Sequence, residues 1–409
     1  WNNISWASNA IGELPDNKEI ETKFVNGNAD MSGNVLLMHM NELSGTIVDS
    51  SGTGNNGTAS GVTYGVVGKI GSALSFDGVN DYVSMGVNAL APDLAGCSGV
   101  TISAWINPSS LDNGSTNRDN IADILINSSG TTHSSAAYLT LRYGGNIWFG
   151  GRSQPGETFQ SVETIQTVNV GAWQHVVGVL DFPNDKIYIY YNGVKVGQGN
   201  VSFGQDNLVV GTPTSNDVIG ANPTLNTHFF AGKIDEFAVW NRSLSEDEIV
   251  DVYKRGALSL DVSVRSCDDG SCDGEGWIDI DDISPQNLHI FNDRYFQYRF
   301  DFKTDDLSFS PELYNVTVCY ENIPESDYNF TYLINETETK TYGYLKCIKT
   351  NISFNNTIYA LMLKPTFSSG SYISRIFDTE LFSSWNNISW ASNAIGELPD
   401  NKEIETKFV

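Results

Sequence analysis

Apolar residues along this chain recur mostly at every second position, in short runs broken by turn residues, which is the pattern of half-buried β-strands. Tyr295-Phe-Gln-Tyr-Arg-Phe-Asp-Phe302 and Tyr314-Asn-Val-Thr-Val-Cys-Tyr320 alternate strictly. Lys186-Ile-Tyr-Ile-Tyr-Tyr191 and Thr101-Ile-Ser-Ala-Trp-Ile106 are rich in β-branched and aromatic residues. Turn signals at Asn55-Asn56-Gly57, Asp77-Gly78, Asn113-Gly114, Asn192-Gly193 and Gly204 punctuate them at the spacing of a sandwich. One helix is expected: Ser245 and Glu248 form a capping box, Ile249 and Val252 face inward, and Gly256 ends it. The predicted fold class is all-β.

Residues 1–25 recur without change as residues 385–409. Packing would tolerate substitutions at exposed positions such as Asn9, Asp16 and Lys18, so identity of this length points to duplication of a unit that follows itself head to tail. The strand-like end of the repeat, Glu19-Ile-Glu-Thr-Lys-Phe-Val25, precedes a long β-rich block over 33–256. A division follows. Residues 1–25 supply the first strands of a small β-sandwich, 33–256 form a large domain inserted in or joined to it, and 257–320 complete the sandwich. Residues 321–371 form an additional β module, and 372–409 start the next repeat's sandwich.

The block resembles a LamG/concanavalin A-like jelly roll. The residues that carry the likeness stand in the family's order: Leu36-Leu-Met-His-Met-Asn-Glu42, Asp49-Ser-Ser-Gly52 with Asn55-Asn-Gly-Thr58, Leu74-Ser-Phe-Asp-Gly-Val-Asn-Asp-Tyr-Val83, Thr101 to Ile106, Trp173-Gln-His-Val176, Tyr191-Asn-Gly193, and Ile234-Asp-Glu-Phe-Ala-Val-Trp-Asn-Arg-Ser-Leu-Ser245. This fold serves sugar binding, protein binding and spacing alike, so the likeness speaks to architecture before function. The surrounding pattern, with Ser310-Pro-Glu-Leu-Tyr-Asn-Val-Thr-Val before Tyr320, is similar to sandwich modules of archaeal and bacterial surface proteins.

Acidic residues outnumber basic ones 49 to 23, for a net charge of −26. Nucleic acid and anionic lipid are poor partners for such a chain. No apolar run is long enough to cross a membrane as a helix. Two disulfides are expected, Cys267 with Cys272 and Cys319 with Cys347, leaving Cys97 as a buried thiol; the alternative is five reduced core cysteines. Glycan acceptor sequons stand at Asn3, Asn56, Asn113, Asn127, Asn200, Asn241, Asn315, Asn329, Asn335, Asn351, Asn355 and Asn387, in keeping with an extracellular or cell-surface location.

Catalysis has little footing. The Glu-x-Asp-x-x-Glu triplet of some concanavalin-like hydrolases is missing, Asp235-Glu236 and Asp279-Ile-Asp-Asp282 have the wrong spacing, and no Gly-x-Ser-x-Gly elbow accompanies the scattered histidines. His175 reads as a structural core histidine. The resemblance implies one structural calcium ion, held by Asp49, Asn55 and Asp235; the alternative is that Asp49 and Asp235 only cap turns. Asp269, Ser271, Asp273 and Gly274 partly imitate an EF-hand loop, but Ile280 stands where a bidentate Glu is required, so a turn pinned by Cys267 and Cys272 is the reading adopted. Sugar recognition needs aromatic faces beside polar groups. Tyr143, Trp148 and Arg152 offer that combination, although alternation equally places Trp148 in the core.

The expected function is a non-enzymatic repeat unit of an extracellular filament, its partners being copies of itself in a linear array. The alternative is an adhesin whose jelly roll binds glycans or cell-surface proteins, with a glycan hydrolase third.

Overall fold

Strands whose two faces are both covered need apolar residues at consecutive positions, whereas strands with one wet face alternate. Both kinds occur here. The computed structural model describes residues 3–8, 11–14, 16, 29–111, 118–129, 132–142, 144–280, 286–291, 293–322, 326–333, 348–350, 352–355, 360–374, 377–378 and 383–384. They form a mostly β structure of four antiparallel sheets.

The first part of the chain contains β1 (Asn3–Ser8), β2 (Asn34–Met38), β3 (Thr46–Ile47), β4 (Gly57–Ser60), β5 (Thr63–Val67), β6 (Ser72–Asp77), β7 (Tyr82–Val87), α1 (Ala91–Leu94) and β8 (Gly99–Pro108). There follow β9 (Arg118–Ser129), β10 (Thr132–Arg142), β11 (Asn146–Gly151), β12 (Gln160–Thr167), β13 (Gln174–Asp181), β14 (Lys186–Tyr191), β15 (Val194–Asn200), β16 (Asn216–Ile219), β17 (Ala231–Trp240) and α2 (Glu246–Ala257). The last part contains β18 (Leu258–Cys267), β19 (Ile278–Ile280), β20 (Gln286–Asn287), β21 (Tyr295–Thr304), β22 (Glu312–Asn322), β23 (Ser326–Leu333), β24 (Ile348–Thr350), β25 (Ile352–Asn355), β26 (Ala360–Leu363), β27 (Ser369–Ile373), β28 (Phe377–Asp378) and β29 (Ser383–Ser384).

Two units result, one of Glu13–Glu21 with Ala29–Tyr253, the other of Trp1–Gly12, Thr22–Asn28 and Lys254–Val409. The first is a jelly roll. Its inner sheet runs β15-β14-β13-β8-β17-β6-β5, with β2 also on β17, and its outer sheet runs β12-β11-β10-β9-β16-β7-β4-β3. Between them lies a core that includes Leu36, Phe76, Ile102, Ile106, Ile124, Leu139, Phe149, Val176, Ile189 and Phe237. The other face of the inner sheet is covered as well: Leu37, Val177, Val179 and Trp240 pack with Leu14, Met31, Ile249 and Val252. This double cover explains why β2, β8, β13 and β17 are buried almost throughout. In the outer sheet β9 and β10 are likewise buried from Asp119 to Leu125 and from Ser134 to Leu141, and on the far face these strands place polar and aromatic side chains such as Asp123 and Tyr138.

The second unit is a smaller sandwich of two sheets, β20-β1-β22-β26-β25 with β23 and β29 on β22, and β19-β18-β21-β27-β24 with β28 on β21. Alternation decides its core. Leu260, Val262 and Val264 with Phe296, Tyr298, Phe300 and Phe302 face Ile4, Trp6, Val316, Val318, Leu361 and Leu363. From the repeat segment, β1 lies between β20 and β22, with Ile4 opposite Val318 and Trp6 opposite Val316. Strands from 321–371, expected as an additional module, enter these same two sheets: β26 pairs with β22 and β27 with β21. The second copy of the repeat, 385–409, lies outside the described residues.

The capping box is present: Ser245 N donates to Glu248 Oε2 at 2.7 Å and Glu248 N to Ser245 Oγ at 3.3 Å. The helix continues past Gly256 to Ala257, because the chain passes directly into β18 at Leu258 without the left-handed residue that would end it at a glycine. Among the described residues, no helix is long and apolar enough to cross a membrane.

Candidate functional site

The outer sheet's far face carries a cleft of about 360 Å³ lined by Asn120, Asp123, Ser135, Tyr138, Trp148, Arg152, Phe159, Asn222, Pro223 and His228. Its floor comes from the middle strands. Asp123 on β9 stands directly opposite Tyr138 on β10, and Tyr138 in turn stands opposite Gly150 on β11. A side chain at Gly150 would meet Gln160 O at 2.2 Å and Phe159 Cε1 at 2.7 Å, so its absence is what allows Phe159 to lie here.

Three rings pack on one another. Trp148 meets Tyr138 edge-on, with centroids 5.3 Å apart, and lies 5.3 Å from Phe159. Arg142 covers Trp148 at 4.5 Å, and Arg152 lies over Phe159 at 4.9 Å, both within cation–π range. The Tyr138 hydroxyl donates to Asn120 Oδ1 at 2.6 Å, and Asn120 Nδ2 donates to Ala221 O at 3.1 Å. Asn120 therefore ties the floor to the loop that follows β16.

Two loops flank this floor, and both are pinned by side chains. Between β11 and β12, Glu157 accepts from Ser153 N at 2.9 Å, Ser153 Oγ at 2.7 Å and Gly204 N at 2.8 Å, while its carbonyl accepts from Arg152 Nε at 2.8 Å. After β16, Asn222 Oδ1 accepts from Asn226 N at 3.0 Å and Thr227 N at 3.1 Å, an Asx-type turn that presents Asn222 and His228.

Asp123 is the least settled group in the cleft. Its side chain is 7 % exposed, it is hydrogen-bonded to Ser135, and its Oδ1 has no hydrogen-bond partner. Burial pushes its carboxyl up to about 7, the charge of Asp217 adds to that, and Arg152 opposes it. Burial also pushes Asp217 up to about 6, although both of its oxygens are held by backbone donors, Leu125 N at 2.8 Å and Leu90 N at 2.9 Å. Burial lowers Arg152 from its ordinary value while Asp123 and Glu157 hold it up.

Of the sugar-site residues read from sequence, Trp148 and Arg152 both line the cleft, and Trp148 is partly exposed there. Tyr143 lies outside the described residues. Asn120, Asp123, Ser135, Tyr138, Phe159, Asn222 and His228 were missed, since they come from separate strands and loops. The one available signal was the Asn-Pro turn at Asn222-Pro223.

The calcium candidates are otherwise engaged. Asp49 accepts from Leu37 N at 3.0 Å, Ser51 N at 2.9 Å, Asn55 N at 2.8 Å and Thr53 Oγ1 at 2.8 Å. Burial alone would raise its carboxyl, but the bonds from Ser51, Leu37 and Thr53 outweigh it and leave the group below its usual range. Asn55 Nδ2 donates to Val35 O at 3.2 Å and Asp93 Oδ2 at 2.9 Å. Asp235 accepts from Lys69 N at 2.7 Å, Ile70 N at 3.0 Å and Glu236 N at 2.9 Å. Carboxylates taken up by N–H donors in this way cap turns, the alternative role read for Asp49 and Asp235 from the sequence.

A different group, Glu13, His39 and Glu236, brings three potential ligand atoms within 4.8 Å of one another. His39 Nδ1 lies 2.6 Å from Glu236 Oε1 and its Nε2 lies 2.9 Å from Asp16 Oδ1. Burial works against the imidazolium, yet the bonds and charges of Glu236 and Asp16 prevail and raise it to about 10.

Cys267 and Cys272 are joined by a disulfide, and Asp269 Oδ1 pins the enclosed turn by accepting from Ser271 N at 2.8 Å and Cys272 N at 3.0 Å. Cys347 and the Cys319 side chain lie outside the described residues. Cys97 is a free thiol, partly exposed, and burial pushes it up to about 11. His175 sits 2.8 Å from Ser103 Oγ and is kept neutral by burial, which pulls it down to about 3. Among the sequons, Asn56 and Asn200 are exposed, whereas Asn241 Nδ2 donates to Asp93 O at 3.1 Å. The side chains of Asn3, Asn113, Asn127, Asn315, Asn329, Asn335, Asn351, Asn355 and Asn387 lie outside the described residues.

Comparison with solved structures gives remote likenesses. A Ruminococcus gnavus IT-sialidase CBM40 bound to α2,3-sialyllactose is 14 % identical over 44 % of this chain and 96 % of its own, with a TM-score of 0.37. Domain 4 of AbnA, a GH43 extracellular arabinanase from Geobacillus stearothermophilus, in complex with arabinotriose, is 20 % identical over 54 % and 98 %, with a TM-score of 0.35. Trypanosoma rangeli sialidase in complex with sialic acid is 13 % identical over 56 % of this chain and 33 % of its own, with a TM-score of 0.42. This chain thus spans about a third of the sialidase's length. No curated protein sequence matches. The family model that matches, over residues 77–250 of the jelly roll, is that of the concanavalin A-like lectin/glucanases superfamily.

Proposed function

We propose that the jelly roll is a glycan-binding module and that the cleft on its outer sheet is the binding site. The observation that carries this is the meeting, in one open cleft, of three mutually packed rings, Tyr138, Trp148 and Phe159, with the buried, unpartnered Oδ1 of Asp123 and the guanidinium of Arg152. Rings stack on the apolar faces of a sugar while the polar groups take its hydroxyls. Binding proceeds without turnover: among the described lining residues Asp123 is the one carboxylate, and the usual glycoside hydrolysis needs two. An extracellular setting suits this role and the sequons. The test is a glycan array followed by calorimetry with Trp148→Ala and Phe159→Ala. Sugar binding lost in both folded variants supports the reading, and it fails if no glycan binds, if both variants bind as before, or if bound glycan is cleaved.

A second reading, a repeat unit in a linear surface assembly, draws on a separate observation. Residues 385–409 reproduce the segment that contains β1, with Ile388 and Trp390 matching the buried Ile4 and Trp6. Any slot that accepts β1 between β20 and β22 accepts the copy equally, so the strand of one unit suits the sandwich of the next. Sedimentation of the 409-residue chain tests it: concentration-dependent linear oligomers, lost in Trp390→Asp, are expected, and a monomer at every concentration overturns it.

A further inference from the structure

The glycan-binding reading leaves the class of sugar open, and the charges around the cleft narrow it. We infer that the ligand is a neutral sugar with adjacent hydroxyls, one donating to Asp123 and its neighbour accepting from Arg152, and that uronic and sialic acids are excluded. This inference rests on the cleft being a glycan site.

A site for an acidic sugar needs uncompensated positive charge. Arg152 is the one Arg or Lys among the described residues that line the cleft, and it lies in the field of two carboxylates, Asp123 and Glu157. Asp217, buried behind Asp123 with both oxygens held by backbone N–H groups, adds further negative potential. A ligand carboxylate entering beside Asp123 would add to the negative charge of Asp123, Asp217 and Glu157 with the single guanidinium of Arg152 to offset them all.

The hydrogen-bonding inventory points the same way. At pH 8, above the value of about 7 to which burial raises it, Asp123 is a carboxylate whose Oδ1, buried and without a partner, calls for an incoming O–H donor. Arg152 uses Nε on Glu157 O, and among the described residues its terminal nitrogens have no hydrogen-bond acceptor, so they call for an incoming oxygen. A sugar hydroxyl can donate and accept, and two on neighbouring carbons satisfy both demands. A carboxylate in the place of the donating hydroxyl accepts only and leaves Asp123 Oδ1 unmet. Tyr138, Trp148 and Phe159 supply the apolar wall for the opposite face of the ring.

The experiment is calorimetry at pH 8 on the whole chain, with neutral oligosaccharides, their uronate and sialylated counterparts, and deoxy forms of whichever sugar binds. Binding of neutral sugars is expected, weakened about tenfold or more when either adjacent hydroxyl is removed and to a similar degree in Asp123→Asn. Melting temperature and circular dichroism of Asp123→Asn show that its fold is kept. Arg152→Gln provides a second variant, with the loss falling on the neighbouring hydroxyl. If acidic sugars bind through Trp148 and require their carboxylate, the cleft remains a glycan site and this inference falls. If no sugar of either kind binds, the functional reading falls with it.

Discussion

Asp123 and Tyr138 are register partners on adjacent antiparallel strands, so the buried carboxylate and the phenol ring stand side by side on the floor of one cleft. Their pairing fixes the polar and apolar halves of the site on neighbouring central strands of the sheet, and it sets the cost of that polar half.

That cost has a pH signature. Burial pushes Asp123 up to about 7 and Asp217 up to about 6, both above the unfolded value of about 3.9. At these two sites the folded state then holds more protons than the unfolded one, so their contribution to stability is most favourable at about pH 4 and below and declines as pH rises through 6 and 7. Asp123→Asn is expected to gain stability relative to wild type between pH 4 and pH 8, by on the order of 2 kcal/mol. Urea denaturation of both proteins at the two pH values measures it, and an unchanged difference contradicts it.

Gly150 holds the aromatic wall by having no side chain. In Gly150→Val the added carbons collide with Phe159 and with the carbonyl of Gln160. Overpacking of about 1–3 kcal/mol is expected, together with sugar binding weakened about tenfold. Thermal melts and calorimetry on the same preparation check both.

His39 anchors Glu236 and Asp16 as an imidazolium raised to about 10, since its carboxylate partners outweigh burial. Its contribution is complete below the unfolded value of about 6.5 and is lost as pH climbs through 10. His39→Gln leaves Glu236, 2 % exposed, without its cation and is expected to cost about 3 kcal/mol at pH 7. The variant's stability should change less than wild type's between pH 7 and pH 10, and denaturation curves across that range decide the matter.

Trp6 is 1 % exposed and meets Phe300 edge-on at 5.5 Å. Trp6→Ala empties the centre of the small sandwich and is expected to cost about 3–5 kcal/mol. Hydrogen exchange should show the loss in β1, β21 and β22, with β8 and β17 of the jelly roll unaffected.

Much of this architecture was legible because period-two alternation reports a face directly. Phe296, Tyr298, Phe300 and Phe302 turn inward as a set, and Ser245 with Glu248 marks the start of α2. The cleft was legible only in part. Trp148 and Arg152 stand four positions apart on one segment, and their chemistry shows in the sequence. Asp123, Tyr138 and Phe159 meet them only through the pairing of β9 to β12, and strand neighbours are set by long-range register that no local pattern encodes. The turn-capping role of Asp49 and Asp235 was hidden for a related reason. Asp49 and Asp235 resemble ligands by type, but the backbone N–H groups that claim them, from Leu37 and from Lys69 and Ile70, become neighbours only in the folded sheet.

One strand of the small sandwich is made first and its partners last. Asn3–Ser8 must wait for Glu312–Asn322, and the whole jelly roll is synthesised in between. Loop closure over a folded insert costs far less than over a loose chain of the same length, because the ordered insert has already given up its freedom. The expected sequence of events is therefore temporal as well as spatial: exchange protection arises in β8 and β17 before it arises in β1 and β22. The large domain thus sets a delay: Ile4 and Trp6 meet Val318 and Val316 only after the jelly roll has been made.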